Sequence, residues 1–97
     1  MRNLVKAIGS FSIAIQLDPQ KLSGYIGLGD CYKSQGEFST AIQNYSTVIK
    51  KEKSFYEVIY LKRAKCYIEL KKFEAADKDI NIVRNESKMF KIHPNSN

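Results

Sequence analysis

The sequence predicts an all-α protein built from about two and a half stacked helix pairs. The chain matches itself, because Cys31 and Ala41 recur as Cys66 and Ala76 after 35 residues. A similar match, with a shift of 34 residues, relates Ala7 to Ala41. Small and bulky residues also alternate at spacings of three and four, which keeps them on one face of a helix. A period of this length is typical of two-helix units that bury their apolar faces against their neighbours.

The two helices of each unit are distinguished by where the small residues fall. The backbones of an antiparallel helix pair approach closely only where a side chain is small. Gly29 and Ala64 are the small residues on the first helices of the two complete units, and a tyrosine follows each after three residues. The matching triplets on the second helices are Ala7, Phe11 and Ala14; Ala41, Tyr45 and Val48; and Ala76, Ile80 and Val83. We therefore expect Ala41 and Ala76 to lie at backbone contacts.

Turn signals separate these helices. Pro19 ends the first helix, because proline cannot continue one. Gly36 separates the second helix from the third, and Lys71-Lys72 separates the fourth from the fifth. The predicted helices span residues 3–17, 22–35, 38–51, 56–70 and 73–86.

These positions resemble the tetratricopeptide repeat, whose pattern runs aromatic, Leu, Gly, Tyr, then Ala, Phe, Ala, Pro. The matching residues of the middle unit are Tyr25, Leu28, Gly29, Tyr32, Gly36, Phe38, Ala41 and Tyr45. Those of the last unit are Tyr60, Ala64, Tyr67, Phe73, Ala76 and Ile80. The last unit departs from the pattern, since Arg63 stands for Leu and Lys71 for Gly, and Lys53 and Lys88 stand where the family often has Pro.

The resemblance covers about residues 1–88 and implies a right-handed α-α superhelix. The predicted divisions are the second helix of an incomplete first repeat at 1–20, complete repeats at 21–55 and 56–88, and a C-terminal tail at 89–97.

The composition is that of one small helical domain. A chain of 97 residues is near the low end of what can bury a self-sufficient core. No stretch approaches the roughly 20 consecutive apolar residues of a membrane helix. The apolar residues of Met1 to Leu17 follow a helical period and do not resemble a signal peptide. No membrane attachment is predicted, and an intracellular, cytoplasmic location is the default.

The two cysteines and the single histidine do not form a predicted metal or redox site. Cys31 and Cys66 occupy the same position of successive repeats, on helices about 8–10 Å or more apart. A disulfide requires Cα atoms within about 7 Å, so we expect both thiols to fill packing space. His93 has no neighbouring Cys, Asp or Glu that would make it a ligand or a base, and we expect it to be solvated. No metal and no cofactor are predicted.

Catalysis is not predicted either. Gly24, Gly27 and Gly29 open a helix without the preceding strand that a phosphate-binding loop requires, so close helix contact explains them better. No nucleophile, base and orienting residue are brought together by the sequence pattern. We therefore expect a protein that is not an enzyme and that presents a surface to other protein subunits.

The net charge of +6 has two interpretations, and the sequence leaves both open. Lysines near helix C-termini complement the helix dipole and keep a repeat array soluble. The same lysines could attract an acidic protein surface, which raises the association rate more than the affinity. These lysines are Lys50, Lys51, Lys53, Lys71, Lys72, Lys88 and Lys91.

A second function class is RNA binding of the pentatricopeptide type. Those arrays also repeat as helix pairs and read about one base per repeat, and a basic charge would suit them. Two complete repeats would read only about two bases, and the spacing of the small and aromatic residues is that of the tetratricopeptide pattern. A nucleic-acid partner is therefore the alternative and not the main expectation.

The resemblance also implies where a ligand would bind. In the family, the first helix of each pair lines a concave groove that takes a peptide or a helix. The corresponding residues here are Ser23, Ile26, Asp30, Lys33, Val58, Leu61, Lys62, Lys65 and Ile68. One subclass clamps acidic chaperone tails through groove lysines, arginine and asparagine, but only Lys62 is basic at a matching position. That clamp is not expected.

The ends of the array suggest a second contact surface. The first helix carries a broad apolar arc that a first helix of the same repeat would partly cover, formed by Leu4, Ile8, Phe11 and Ile15. Met89, Phe90 and Ile92 follow the predicted last helix, so the other end also looks uncapped. Exposed apolar ends of repeat arrays mark interaction sites or aggregation hazards. We expect another subunit or a second copy to pack end to end against the first helix. The competing view is a stable monomer whose N-terminus folds over its own end.

Overall fold

The protein is an array of five helices joined by short turns. The computed structural model describes residues 3–52, 54 and 56–92, with side chains described as far as residue 86. The helices are α1 (Leu4–Leu17), α2 (Leu22–Ser34), α3 (Phe38–Lys51), α4 (Glu57–Glu69) and α5 (Phe73–Ile92). Within the described residues there is no β-strand. The predicted all-α fold is confirmed.

The helix boundaries agree with the sequence except at the end of α5. The first four helices begin and end within one residue of the predicted positions. The fifth continues to Ile92 instead of ending at residue 86, so the predicted tail at 89–97 begins inside this helix. No glycine or proline lies between Arg84 and Ile92, and Lys88 does not stop a helix as a proline would. His93 lies outside the described residues, as do the side chains of the three apolar residues at 89, 90 and 92.

Each helix packs mainly on the next one along the chain. The substantial helix contacts are α1 with α2, α2 with α3, α3 with α4, and α4 with α5. The central core lies where α2, α3 and α4 meet, and Tyr45, Val48, Ile59 and Cys66 are fully or almost fully buried there. Ala41 and Ala76 expose 0% and 2% of their surface, in agreement with their predicted place at backbone contacts.

Three glycines of α2 allow close approach to the neighbouring helices. A Cβ atom on Gly24 would lie 2.7 Å from Cγ1 of Ile15, and one on Gly29 would lie 2.5 Å from the ring of Tyr45. A Cβ atom on Gly27 would overlap the ring of Phe11. The expectation that these glycines serve helix contact is confirmed.

The two turns inside the complete repeats share a left-handed residue. Gly36 follows α2 with a φ of +83°, a conformation that glycine adopts without steric cost. Lys71 occupies the matching position after α4 and adopts a φ of 61°. The turn geometry is therefore kept although the second repeat lacks the glycine.

A buried ion pair joins the last three helices. The guanidinium of Arg63 on α4 donates to both carboxylate oxygens of Asp79 on α5, at 2.9 and 2.7 Å, and to Oγ of Ser46 on α3 at 3.0 Å. Asp79 exposes only 2% of its surface. The rings of Tyr60 and Tyr67 each have their centroid 5.7 Å from the Arg63 guanidinium. Arg63, which departs from the expected leucine, therefore holds α3, α4 and α5 together.

Candidate protein-binding groove

The predicted groove residues lie along α2 and α4. Ser23, Ile26, Asp30 and Lys33 follow one another along α2, and a hydrogen-bonded ion pair connects α2 to α4. Side chains on α4 leave apolar surface exposed, since Val58, Leu61 and Ile68 are 52%, 36% and 44% accessible. Lys65 is exposed and Lys62 half-buried on the same helix.

The centre of the groove is occupied by the carboxylate of Asp30. Its Oδ1 atom accepts hydrogen bonds from Lys62 Nζ at 2.9 Å and from the Tyr45 hydroxyl at 2.6 Å. Its Oδ2 atom accepts a second bond from Lys62 at 3.0 Å. The pKa of the Tyr45 hydroxyl is raised far above its ordinary value of 10.0. Burial is the largest cause, and the hydrogen bond to Asp30 is the next. Lys62 thus has a carboxylate partner inside the chain, which the sequence pattern did not indicate.

A first cavity lies at the end of the groove where α2 and α4 begin. It has a volume of about 450 Å³ and is open to solvent. Its lining residues are Leu22, Ser23, Ile26, Glu52 and Tyr56. The cavity therefore combines an apolar wall with one carboxylate, contributed by the loop after α3.

A second cavity lies at the opposite end, where α2 and α4 finish. It has a volume of about 240 Å³. It is lined by Lys33, Phe38, Lys65, Ile68 and Glu69. Among the side chains that the structure describes, neither Lys33 nor Lys65 forms an ion pair. Two lysines and the carboxylate of Glu69 thus surround an apolar floor, and the lining keeps a net positive charge. This end of the groove can therefore accept a carboxylate next to an apolar side chain.

The residues predicted for end-to-end packing are not the exposed ones of α1. Leu4, Ile8, Phe11 and Ile15 are each partly buried. Phe11 and Ile15 lie against glycines of α2. Part of this arc is buried in the α1–α2 contact, so a partner could contact only the part of it that α2 leaves exposed. Whether it takes part in packing between subunits stays a prediction.

The exposed apolar residues of α1 were missed by the sequence analysis. Val5, Ile13 and Leu17 are 76%, 56% and 80% accessible. A signal for them was present in the repeat itself. The matching positions carry polar residues on α3 and, apart from Ile82, charged residues on α5, so three apolar residues there are unusual within this chain.

Both thiols lie in the interior, as expected for residues that fill packing space. Cys31 and Cys66 are free, buried side chains with exposures of 7% and 0%. Burial raises the pKa of each thiol above its ordinary value of 9.0, which suppresses the reactive thiolate. Across the described residues, no group of three or more His, Cys, Asp or Glu side chains is arranged to hold a metal ion.

Comparisons with known proteins agree with the repeat geometry. The tetratricopeptide repeat family matches residues 25–53, and it matches residues 58–81 through a second profile. No curated protein and no solved structure matches the chain. In the part of the chain that the structure describes, no helix is both long enough and apolar enough to cross a membrane.

The two matches overlap the two helix pairs, α2 with α3 and α4 with α5, and together they cover more than half of the chain. Such repeats are in general non-catalytic modules for protein–protein interaction and scaffolding. With helix pairs, glycine contacts and turns all in the expected register, the chain belongs to the tetratricopeptide repeat family.

Proposed function

We propose that this protein is a non-catalytic interaction module that binds an acidic segment of a partner protein in the groove between α2 and α4. As part of the same proposal, it works as a component of a larger protein assembly. The observation that carries the proposal is the arrangement of the groove, with a cavity at each end and an internal ion pair between them. The free thiols are compatible with a reducing, cytoplasmic location, which stays a prediction.

The dimensions of the groove favour a short extended peptide. Ser23 and Lys33 mark its two ends on α2 and are ten residues apart. With a rise of 1.5 Å per helical residue they lie about 15 Å apart along the axis. An extended peptide advances about 3.3 Å per residue, so roughly four or five residues would span this distance.

The charges of the groove favour one direction for an acidic peptide. Lys33 and Lys65 lie at one end beside a single carboxylate, that of Glu69. Glu52 is the charged residue that lines the cavity at the other end. A ligand carboxylate is attracted to the lysine end and repelled by the Glu52 end. Apolar side chains of the ligand can cover the exposed surface of Val58 and Leu61 between them. The expected ligand is therefore a short segment with apolar residues followed or preceded by an acid.

The proposal can be tested by selecting peptides on the immobilised full-length chain. We expect the selected peptides to combine apolar and acidic residues, and to lose about tenfold or more in affinity when Lys33 and Lys65 are both changed to Glu. The loss should decrease as salt is raised, because the lysines are exposed or half-buried. Fluorescence anisotropy with labelled peptides would measure it.

A matched control is Lys50→Glu combined with Lys78→Glu, which makes the same change in net charge at exposed positions of α3 and α5. This double variant should bind the peptide as well as the original chain does. Equal losses of affinity in the two double variants would contradict binding in the groove and would indicate only a general charge effect. Tight, sequence-selective RNA binding would instead support the pentatricopeptide-like alternative.

A further inference from the structure

The exposed side of α1 carries an apolar ridge that no other helix in the described part of the chain covers. Val5, Gly9, Ile13 and Leu17 are spaced by four residues and form one ridge of the helix surface. Apart from glycine, these side chains are 76%, 56% and 80% accessible. A Cβ atom on Gly9 would meet nothing within 4 Å, so the ridge has an open notch at this position. We name these four residues the α1 ridge.

The fold itself does not require apolar residues at these positions. The register-matched residues are polar on α3 and mostly charged on α5. On α3 they are Ser39, Gln43, Thr47 and Lys51; on α5 they are Glu74, Lys78, Ile82 and Glu86. Both of those helices pack in the same array without an apolar ridge. The α1 ridge is therefore a feature of this helix and not of the repeat.

The other end of the array has a different character. On α3, the side that faces the next repeat carries Ile42, Ser46 and Ile49, and Ser46 accepts a hydrogen bond from Arg63 of α4. At the matching positions of α5 the residues are Asp77, Asn81 and Arg84, all exposed. A polar outer face is what the terminal repeat of an array requires for solubility. At these three positions α5 therefore offers the α1 ridge no apolar face, and the exposed apolar side chains described for α5, Phe73 and Ile82, are nine residues apart.

The order of residues along the α1 ridge is complementary to itself. When two such helices meet antiparallel about the midpoint of the ridge, Val5 lies opposite Leu17 of the other copy and Gly9 lies opposite Ile13. The bulky Ile13 then faces the notch at Gly9, and this happens twice because a two-fold contact repeats every pair.

The charges near α1 fit the same arrangement. Lys6 is the single charged residue among the fourteen of this helix, and Asp18 follows directly after it. In the antiparallel pairing, Lys6 of one copy lies about two residues, roughly 3 Å along the axis, from Asp18 of the other. Opposite charges thus come near each other at both ends of the contact, while the other lysines that give the chain its net charge of +6 lie outside α1.

We propose that the α1 ridge is a homodimer interface, in which two copies of this chain pack antiparallel through Val5, Gly9, Ile13 and Leu17. The proposal rests on the assembly part of the proposed function and names both the surface and its occupant. It replaces the partly buried arc of α1 by the exposed ridge as the main contact. It leaves the groove on α2 and α4 free to bind a partner in each copy.

Sedimentation equilibrium of the full chain over about 1 to 200 µM provides the first test. We expect a monomer–dimer equilibrium with no larger species. Ile13→Asp should raise the dissociation constant about tenfold or more, because it places a charge in the contact. The control is Ile82→Asp, the same substitution at the register-matched position of α5, which should leave the equilibrium unchanged. A chain that stays monomeric over the whole range would overturn the proposal.

A further variant, Gly9→Leu, guards against loss of folding. Gly9→Leu fills the notch without a clash inside the chain, so its circular dichroism should stay the same while dimerisation weakens.

Mixing Gly9→Cys chains with Ile13→Cys chains should give the crossed disulfide in preference to either self-pair. Dominant self-pairs would contradict the antiparallel register. The peptide affinity of the Ile13→Asp variant should be unchanged. Peptide binding in the groove and dimerisation through the α1 ridge are therefore tested independently.

Discussion

The buried carboxylate of Asp79 compensates for the buried positive charge of Arg63. Arg63 stands where the repeat pattern expects an apolar residue, and burying its charge alone would be costly. Asp79 neutralises that charge through two hydrogen bonds, of which the shorter is 2.7 Å. The matching residues in the preceding repeat are Leu28 and Asn44, so the second repeat has exchanged a neutral pair for a charged one. The pair therefore acts as one unit.

Breaking this pair should destabilise the protein more than replacing it. We expect Asp79→Ala to lower the free energy of unfolding by about 3–5 kcal/mol, because Arg63 is left buried without a partner. Arg63→Leu together with Asp79→Asn, which restores the residues of the preceding repeat, should cost clearly less. Urea unfolding followed by circular dichroism would measure both. A double variant less stable than the single one would contradict this account.

Lys71 holds a backbone conformation that suits glycine. Its φ of 61° lies in the left-handed region, where a Cβ atom costs about 1–2 kcal/mol. We expect Lys71→Gly to raise the free energy of unfolding by about 1 kcal/mol, and Gly36→Ala at the matching turn to lower it by a similar amount. Thermal and urea unfolding of both variants would provide the check. The opposite sign for Lys71→Gly would show that its side chain makes a favourable contact at this turn.

The buried ionisable side chains predict how stability depends on pH. Burial raises the pKa of Cys31, Cys66 and Tyr45 above ordinary values of 9.0 for the thiols and 10.0 for the phenol. The folded state therefore holds these protons at a pH where the unfolded chain releases them. Their contribution is complete below about pH 9 and is lost as the pH rises further. Urea unfolding between pH 7 and pH 11 should show this decline, and Cys66→Ala should make it shallower.

At the scale of helix pairs, the size of one residue decides how closely two helices approach. Gly29 faces the buried ring of Tyr45, whereas the register-matched residues in the next repeat are Ala64 and Ile80. A residue without a side chain is thus matched with the largest partner, and a methyl group with a smaller one. This matching explains why the two repeats can differ in sequence while their helices keep the same order of packing.

Gly29→Ala should therefore be destabilising although alanine favours helix. The added methyl group would lie 2.5 Å from the ring of a fully buried tyrosine, so we expect a loss of about 1–3 kcal/mol. Gly9→Ala is the control, because its Cβ atom has open space and alanine gains up to about 1 kcal/mol in a helix. Urea unfolding at low protein concentration separates the two. A neutral Gly29→Ala would mean that Tyr45 can move aside.

For the whole molecule, stability is transmitted from helix to helix. Because the substantial contacts join only consecutive helices, damage at one end should weaken as it passes along the array. We expect Phe11→Ala to lower hydrogen-exchange protection of α1 and of the N-terminal half of α2, and to leave α4 unchanged. Hydrogen exchange followed by mass spectrometry would measure this. Equal loss of protection in all helices would instead show that the array unfolds as one cooperative unit.

The repeat spacing was sufficient to predict the architecture, whereas the position of the groove stays a prediction. Glycine, proline and small residues act locally, so the ends of α1 to α4 could be located within a residue. The end of α5 could not, because only the absence of a stop signal marks it. The repeat pattern also did not reveal ion pairs between residues that are far apart in the sequence. Asp30 and Lys62 are 32 residues apart, and their bond depends on how α2 and α4 stack.

That pairing between Asp30 and Lys62 limits what the centre of the groove can select. An acidic side chain that reached Lys62 would only exchange with the carboxylate already present, and would leave Asp30 bonded to Tyr45 without its cation. The number of ion pairs would not increase, so the exchange brings little electrostatic gain. Asp30 thus competes with a ligand carboxylate for Lys62. Ligands with a neutral or apolar middle and an acid at the Lys33 and Lys65 end should bind in preference to uniformly acidic segments.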